Sequence, residues 1–387
     1  MSGIRTTKTF LIGSLAATSI LSSVSVGAET LKYTTGYPPN TTAAIAAEDY
    51  ASYLDELSGG SLTAKVYAGS LLSFAETPSG IAHGMADSGL LFLSYSLAEF
   101  PYSNMVAELT MMLETTGVSP EKAGLAYAGA MSEFIFSDCP ECTEEFVEQN
   151  QVFLGGASSP PYWLLCTTSV TDMDDMQGKR LRAGGAQWSR WAEAMGATPI
   201  SVSAAETYEA LSQGVIDCTM IVTTDLSVWK LDEVVTDITV QVPGGVYGGS
   251  AINNTNLDVW KKLSVDQRKA LVKASAMLSA EATWGYVQEG LNNLEAARSS
   301  EDIQVHEPSD ALVKRSVEFI ANDIEAVAAS YEERFGIENA HERISGFREV
   351  LNRWSDLVED VDDADELAEL YWREAFSKVD VEHYGLE

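Results

Sequence analysis

The feature that most restricts the fold is a long helical run in the second half of the chain. Ser264 and Gln267 form a capping box, in which each side chain can bond the backbone N–H of the other residue at the start of a helix. No proline occurs from Val265 to Glu307, so the helix can continue to about Arg298. At a rise of 1.5 Å per residue it would be about 45 Å long, which exceeds the width of one small domain. With 387 residues, the chain is long enough for two domains.

Strand–helix–strand units in both halves of the chain predict parallel sheets and an α/β fold. A helix at 42–57 carries Ala46, Tyr50 and Leu54 on one face, and a strand is expected on either side of it. A second α/β unit begins near residue 152. The strands are expected at 31–35, 62–67, 88–93, 163–168, 180–183 and 215–222.

The N-terminus has the pattern of an export signal. Two basic residues precede an apolar run from Phe10 to about Val26, and small residues on either side of Gly27 fit the cleavage rule. We therefore expect residues 1–28 to be a signal peptide that is removed, so that the mature chain starts at Glu29. An uncleaved membrane anchor is the alternative, although the run is short for a membrane span.

The charge balance restricts the partners of the chain. There are 57 acidic residues against 24 Lys and Arg, a formal net charge of -33. Such a surface repels nucleic acid and anionic lipid head groups, because both carry negative phosphates. It also repels a carboxylate ligand at long range, so any anion site must supply its own positive charge. A solubility adaptation is enough to explain the excess of acids.

Four cysteines fit an oxidising compartment. Cys139 and Cys142 form a C-x-x-C pair, which can be a disulfide, a redox site or half of a zinc site. The disulfide is favoured because the periplasm is oxidising and no histidine lies nearby to complete a zinc site. Cys166 and Cys218 lie in apolar, strand-like segments, where a disulfide or two buried free thiols are both compatible with the sequence.

Enzyme motifs are absent from the sequence. It contains no G-x-S-x-G elbow, no H-E-x-x-H and no P-loop, and the glycine-rich segment 244–249 lacks the dinucleotide-binding pattern. The four histidines are scattered and show no metal-ligand spacing. We therefore predict no enzymatic activity, no cofactor and no protein-bound metal.

One basic residue stands out as a candidate anion ligand. Arg182 alternates with Leu181 on a short strand just before Gly184, so it lies at a strand end, where α/β sheets open their ligand crevices. A planar guanidinium there can grip a carboxylate through two parallel hydrogen bonds. A surface arginine paired with one of the many acids would show the same spacing.

The sequence around Arg182 resembles a known receptor family. Segments 178–182, 195–199 and 206–217 read GKRLR, MGATP and ETYEALSQGVID, and their order and spacing are similar to the signature of solute receptors of TRAP (tripartite ATP-independent periplasmic) transporters. Weaker similarities at 58–62, 69–71 and 260–264 extend the resemblance over most of the mature chain.

This resemblance implies a two-lobed periplasmic binding protein fold, with a long helix spanning both lobes and a helical C-terminal extension. Lobe I would comprise 29–159 with 246–285 returning to it, and lobe II 160–245 with 286–337 returning to it. Residues 338–387 would form the acidic extension.

The resemblance also implies functional residues. Arg182 would bind the ligand carboxylate, and Glu206 and Tyr208 match further family positions, although Ser203 and Glu206 also form a capping box that explains Glu206 without a ligand. Two subunits of an ion-driven membrane permease, one small and one large, would receive the cargo. The receptor itself would be a periplasmic monomer.

Two departures from the family pattern affect the expected ligand. The family's ligand-binding asparagine is missing, and Thr223 or Thr224 is a possible replacement. A second arginine found in some relatives is replaced here by Tyr162 and Trp163.

Together with Tyr37 and Trp188, Tyr162 and Trp163 suggest an aromatic-lined pocket with a single charged anchor, although these tryptophans could also belong to the core. We predict a receptor for a small monocarboxylate with an aromatic, apolar or cationic body. A four-carbon dicarboxylate is the alternative ligand. A secreted enzyme or a ligand-presenting sensor is the alternative class of protein.

Overall fold

The structure is a computed structural model that describes residues 1–3 and 28–386. The predicted signal peptide, apart from its two ends, lies outside the described residues. Within the described part of the chain, no helix is both long enough and apolar enough to cross a membrane.

In the described part of the chain, the strands form two sheets of six strands each. In chain order they are β1 (Glu29–Thr35), β2 (Leu62–Ala68), β3 (Ser88–Phe92), β4 (Gln151–Phe153), β5 (Gly156–Ala157), β6 (Trp163–Cys166), β7 (Arg180–Arg182), β8 (Thr198–Ile200), β9 (Cys218–Ile221), β10 (Asp237–Pro243), β11 (Ser250–Asn256) and β12 (Gln304–His306). The first sheet has the order β2-β1-β3-β11-β4, with β5 beside β11. The second has the order β12-β10-β6-β9-β7-β8.

Helices cover these sheets. In chain order they are α1 (Thr42–Leu57), α2 (Thr77–Ala82), α3 (Pro101–Ala107), α4 (Pro120–Ser137), α5 (Pro140–Glu148), α6 (Met173–Met176), α7 (Ala186–Ala194), α8 (Thr207–Ser212), α9 (Asp225–Val228), α10 (Leu257–Lys262), α11 (Val265–Arg298), α12 (Asp310–Phe335), α13 (Ala340–Leu357) and α14 (Ala364–Glu374).

The two-lobed α/β fold expected from the sequence is confirmed. Strand β1 pairs in parallel with β2 and β3, and β7 pairs in parallel with β8 and β9, as strand–helix–strand units require. The residue limits given above for each lobe stay predictions.

The long helix is also confirmed. The capping box at Ser264 and Gln267 is formed, and α11 continues for 34 residues to Arg298. Its first half packs against α1 beside the first sheet, and later turns contact α9 and β12 beside the second sheet. This helix therefore joins the two lobes along their common side.

Two further connections cross between the lobes side by side. One leads from β5 to β6 and the other from β10 to β11. They are paired where Tyr162 N–H donates to Gly245 O at 2.8 Å and Gly244 N–H donates to Tyr162 O at 3.1 Å. Gly244 and Gly245 both have positive φ angles, 79° and 72°, which glycine adopts readily. The glycine-rich segment 244–249 is therefore an interlobe connection, a role that the sequence did not reveal.

The C-terminal helices pack on the first lobe. Helix α13 lies against α4, and α14 lies against α11. The Trp354 indole N–H donates to the buried Glu133 carboxylate at 2.7 Å, and the Tyr371 hydroxyl donates to Leu125 O at 2.7 Å. The acidic run at 359–366, which follows α13 and continues into α14, is mostly exposed.

Both cysteine pairs are disulfides. The Cys139–Cys142 bond predicted from the sequence is confirmed. Cys166 and Cys218 are also bonded, so the alternative of two free thiols is wrong. These two residues are direct partners on the neighbouring antiparallel strands β6 and β9, with Cα atoms 4.0 Å apart. That register is set by the sheet and cannot be read from a single strand.

The two disulfides should differ in their contribution to stability. A disulfide stabilises a protein mainly by lowering the conformational entropy of the unfolded chain, and the effect grows with the length of the loop that it closes. The Cys166–Cys218 bond spans 52 residues, whereas the Cys139–Cys142 bond spans 3. By loop entropy the first is worth about 4 kcal/mol and the second about 2 kcal/mol. We expect the Cys166→Ala/Cys218→Ala variant to unfold at clearly lower denaturant concentration than the matched Cys139→Ala/Cys142→Ala variant. Equal losses, measured by denaturant unfolding, would contradict this.

Candidate ligand-binding site

A cavity lies between the two lobes, next to the paired connections. Its wall combines residues that follow strands of the first sheet with residues that follow strands of the second. Seven aromatic residues line the wall: Tyr37, Phe92, Tyr95, Tyr162, Trp229, Tyr247 and Tyr286. The charged side chains on the wall are those of Arg182 and Asp225.

Arg182 is at the carboxyl end of β7 and is only 2% exposed. Its Nε–H donates to Val202 O at 3.0 Å, which orients the guanidinium, while Nη1 is buried and has no hydrogen-bond partner among the described residues. In the same part of the chain, no carboxylate oxygen lies within 4.0 Å of this guanidinium. The side chain therefore presents an uncompensated, buried positive charge that an anion in the cavity can pair with.

Gly184 allows this guanidinium to lie against the backbone. A Cβ atom built on Gly184 would be 2.9 Å from Arg182 Nη1, closer than such atoms normally approach. The glycine that follows the β7 strand is thus explained by space for the arginine, rather than by an unusual backbone angle.

Asp225 is the second charged group of the wall. It is the first residue of α9, just beyond β9, and is 4% exposed. The Tyr286 hydroxyl, on α11, donates to Asp225 Oδ1 at 2.6 Å. Burial raises the pKa of the Asp225 carboxyl to about 7, although the Tyr286 hydrogen bond and the charge of Arg182 act in the opposite direction.

Three aromatic rings surround the end of the cavity that holds Asp225. Tyr37 and Trp229 are stacked, with centroids 6.0 Å apart and an interplanar angle of 21°. Tyr286 meets Tyr37 edge to face at 6.0 Å, and their hydroxyl oxygens are 3.4 Å apart. The rings come from three separate segments of the chain, so the cluster is a product of the tertiary fold.

Tyr162 forms another part of the wall and is supported from behind. Its ring stacks on Trp188 with centroids 3.8 Å apart and planes within 6°. The Trp188 indole N–H donates to Gly244 O at 3.1 Å, on the interlobe connection. Trp188 is fully buried and does not line the cavity, so it positions Tyr162 instead.

Of the eight ligand contacts predicted from the sequence, the structure brings three to the cavity wall. These are Arg182, Tyr162 and Tyr37. Their assignment as ligand contacts remains a proposal. The other five are Trp163, Trp188, Thr223, Tyr208 and Glu206, and the structure places each of them elsewhere.

The reasons differ from residue to residue. The Thr223 hydroxyl donates to Gly290 O of α11 at 2.7 Å, so it is occupied in holding the strand end against the helix. Trp163 lines a separate pocket, together with Gln241 and residues at the start of α4. The Tyr208 hydroxyl donates to Glu233 at 3.2 Å near the surface.

Glu206 accepts the hydrogen bonds of the capping box from Ser203. The capping role considered in the sequence analysis is therefore confirmed. The exposed position of Glu206, away from the cavity, offers no route to a ligand there.

Sequence reasoning missed Asp225, Trp229 and Tyr286. Asp225 follows the end of a buried strand, the same signal that singled out Arg182, and could have been found by applying that rule to β9. Nothing local marks Trp229, which directly follows α9, or Tyr286, which lies within α11. Within the described residues, no group of three or more His, Cys, Asp or Glu side chains is arranged to hold a metal ion.

Contacts between the lobes close the cavity. The Ser94 hydroxyl, after β3, donates to Gly184 O at 3.2 Å, and the Ala204 N–H donates to the Tyr95 hydroxyl at 3.2 Å. A buried ion pair lies nearby, where Arg190 of α7 donates to Glu108 at 2.8 Å. These contacts join residues of the two lobes directly and describe a closed arrangement of the cleft.

Comparison with known proteins identifies the class of fold. The family model described as bacterial extracellular solute-binding protein, family 7, matches residues 165–333. An extracytoplasmic solute receptor of Bordetella pertussis that binds pyroglutamic acid is similar in structure, with a TM-score of 0.68 and 18% identity, covering 83% of this chain and 100% of the receptor.

Two further solved structures have similar folds. A TRAP periplasmic solute-binding protein of Bordetella bronchiseptica with bound mandelate has a TM-score of 0.67 at 19% identity, covering 84% of this chain and 99% of that protein. A TRAP solute-binding protein specific for aromatic acids, from an unidentified marine microbe, has a TM-score of 0.71 at 16% identity, with the same coverage of 84% and 99%.

The raised pKa of the buried Asp225 carboxyl leads to a prediction about the stability of the protein at different pH values. Because the folded protein holds a proton on Asp225 up to about pH 7, whereas the unfolded chain releases it near pH 4, the free energy of unfolding should fall as pH rises between these values. Asp225→Asn removes this loss, so it should raise the melting temperature of the ligand-free protein at pH 8. The gain is at most about 4 kcal/mol and should shrink toward pH 4.

Asp217→Asn is the matched control, measured by the same thermal unfolding. Arg180 lowers the pKa of the Asp217 carboxyl through direct hydrogen bonds, so the charged form of Asp217 stabilises the fold. Its substitution should therefore lower the melting temperature at pH 8. A pH-independent effect of Asp225→Asn would show that folding does not raise the pKa of the Asp225 carboxyl.

Proposed function

We propose that the chain, whose residues 165–333 match the model of family 7 of the bacterial extracellular solute-binding proteins, captures a small monocarboxylate and delivers it to a TRAP-type secondary importer. Receptors of this family bind small organic anions outside the cytoplasmic membrane and are not enzymes. The observation that carries the proposal is the buried guanidinium of Arg182, which faces an aromatic-walled cavity without a carboxylate partner from the described chain.

Arg182 explains how a strongly acidic protein can bind an anion. The net charge of -33 repels a carboxylate at a distance, but long-range repulsion is screened over about 8 Å in physiological salt. Inside the cavity the ligand meets a desolvated guanidinium at close range, where charge-assisted hydrogen bonds are strong. Affinity then depends on this local charge rather than on the overall field.

The rest of the wall favours one carboxylate over two. A dicarboxylate would place its second charge against aromatic rings or near Asp225, and burying an unpaired charge costs several kcal/mol. An apolar, aromatic or cationic body would instead gain from contact with the rings. The solved receptors of the same fold that bind pyroglutamic acid and mandelate, both monocarboxylates, support this choice.

The partners and location follow from the proposed role. The receptor would work in the periplasm as a monomer, after removal of residues 1–28, and would present the loaded, closed form to the small and large permease subunits. The interlobe contacts of Ser94 and Tyr95 would then have to form on loading and break on delivery.

The ligand class can be tested by thermal shift. We expect monocarboxylates such as mandelate, pyroglutamate, 3-hydroxybenzoate and glycine betaine to include compounds that raise the melting temperature more than succinate, malate or fumarate do. A ligand at 100 times its Kd adds about 2.7 kcal/mol to the stability of the native state, which is readily measured. Stabilisation by succinate alone would contradict the proposal and indicate a four-carbon dicarboxylate receptor.

The role of Arg182 can be tested with the best-binding compound of that panel. Arg182→Ala should weaken binding roughly 30-fold to several thousand-fold in calorimetry, since truncating one partner of a desolvated charge pair costs about 2–5 kcal/mol. Arg182→Lys should also weaken binding, because an ammonium group cannot donate two parallel hydrogen bonds to a carboxylate as a guanidinium does.

Arg180→Ala is the matched control, two residues earlier on the same strand. Arg180 is half exposed and pairs with Asp217 outside the cavity, so its substitution should leave the affinity nearly unchanged. Wild-type affinity in Arg182→Ala would remove the basis of the proposed site.

A further inference from the structure

Asp225 is an unusual residue for the wall of an anion-binding cavity. It is buried, its backbone begins α9 directly beyond the end of β9, and it shares the cavity with Arg182. Its oxygen Oδ1 accepts the hydrogen bond from Tyr286. Among the described residues, no Lys, Arg or His side chain lies within 4.0 Å of either carboxyl oxygen. A carboxyl group placed in this way has capacity for a further hydrogen-bond donor.

The groups that face Asp225 come from several elements. Tyr286 on α11 donates to it, and Arg182 on β7 favours its charged form from across the cavity, whereas Glu289 on α11 disfavours that form. The Trp229 indole N–H also favours the charged form, although it does not reach hydrogen-bonding geometry with any partner in the described chain. Arg182 is therefore the cation that faces this carboxyl.

Binding a carboxylate changes this balance. Once the ligand's carboxylate pairs with Arg182, the positive charge that favours ionised Asp225 is neutralised. The cavity would then hold one buried carboxylate more than it holds cations, an expensive arrangement in a low-dielectric site. Either Asp225 takes up a proton or the ligand supplies a positive charge of its own.

The surroundings of Asp225 favour a ligand that carries a positive charge of its own. Tyr37 and Trp229 are stacked beside it and Tyr286 closes the cluster, so three ring systems and a carboxylate converge on one end of the cavity. Aromatic faces attract cations through the ring quadrupole, and a carboxylate attracts the same group by charge. A ligand hydroxyl or a neutral amide would use the hydrogen bond but not the ring faces.

We propose that the ligand is a zwitterion, whose carboxylate binds Arg182 and whose ammonium group lies against Asp225, Tyr37 and Trp229. This rests on the proposed function, because it assumes that Arg182 takes the carboxylate. It adds a cation subsite beside Asp225 in the same cavity. With the ligand bound, the two protein charges and the two ligand charges balance, so no buried charge is left without a partner.

Pairs of compounds that differ only in the positive group test the proposal. The pairs are phenylglycine with mandelate, proline with pyroglutamate, and glycine betaine with 3,3-dimethylbutanoate. In each pair the first compound carries a protonated or quaternary nitrogen, and the second carries a hydroxyl, an amide or a carbon in its place. At pH 8 we expect the wild-type protein to bind the cationic member of its preferred pair at least tenfold more tightly.

Asp225→Asn keeps the shape of the side chain and removes its charge, so it should reduce that preference to less than threefold. Asp217→Asn, whose carboxylate pairs with Arg180 outside the cavity, should retain the wild-type preference. If the preference for the cationic member survives in Asp225→Asn, the subsite has been assigned to the wrong residue.

The pH profile of the wild-type protein provides a test that needs no variant. If ionised Asp225 binds an ammonium group, affinity for the cationic member should rise from pH 6 to pH 8, because the free protein no longer has to lose a proton on binding. If protonated Asp225 donates to a neutral ligand group, affinity should fall over the same range. The second result would overturn the zwitterion proposal.

Failure of this proposal can be separated from failure of the proposed function. A wild-type protein that prefers mandelate, pyroglutamate or 3,3-dimethylbutanoate, and loses that binding in Arg182→Ala, contradicts the cation subsite and retains the carboxylate receptor. Carboxylate binding that is unaffected by Arg182→Ala contradicts the proposed function itself.

Discussion

Helix α11 fixes the position of Asp225 on the wall of the binding cavity. Its backbone carbonyls accept hydrogen bonds from the hydroxyls of Thr223 and Thr224, at Gly290 O and Tyr286 O respectively, both at 2.7 Å. These bonds fix the chain just before Asp225, and the Tyr286 side chain of the same helix then holds the Asp225 carboxyl. The position of the acid therefore depends on a helix that begins on the other lobe.

Two glycines in α11 make this close packing possible. A Cβ on Gly290 would be 2.7 Å from Thr224 Oγ1, and one on Gly285 would be 2.5 Å from the Thr42 methyl group on α1. Glycine in the middle of a helix costs about 1 kcal/mol relative to alanine. Here that loss permits direct contact with an element of each lobe, so the long helix contacts both lobes closely.

The sequence predicted those features of the fold and of the candidate site that depend on a short stretch of residues. The capping box and the absence of proline predicted the start of α11 and its approximate end, and the strand-end position of Arg182, together with the family resemblance, singled out the only arginine on the cavity wall of the described chain. Tyr37 and Tyr162 also lie on this wall, and their assignment as ligand contacts stays a prediction. Each of these signals is contained in a short stretch of residues.

The features that could not be predicted from the sequence depend on contacts between residues that are far apart in the chain. Asp225 is one of 57 acids, and what distinguishes it is burial beside Tyr286, which lies far along the chain. Thr223 looked available for a ligand because the sequence does not show that Gly290 O lies within reach of its hydroxyl. The pairing of Cys166 with Cys218 likewise depends on strand register.

The packing of α13 on α4 has a consequence for the order in which the protein can fold. Gly129 of α4 lies directly under the Trp354 ring, where a Cβ would be 2.3 Å from the indole, so these helices are fitted to each other. In the same lobe, Ser88 of β3 pairs with Thr255 of β11. Contacts so distant in sequence form only after long loops close, which is slow. The lobe that begins at the N-terminus is therefore incomplete until almost the whole chain is present.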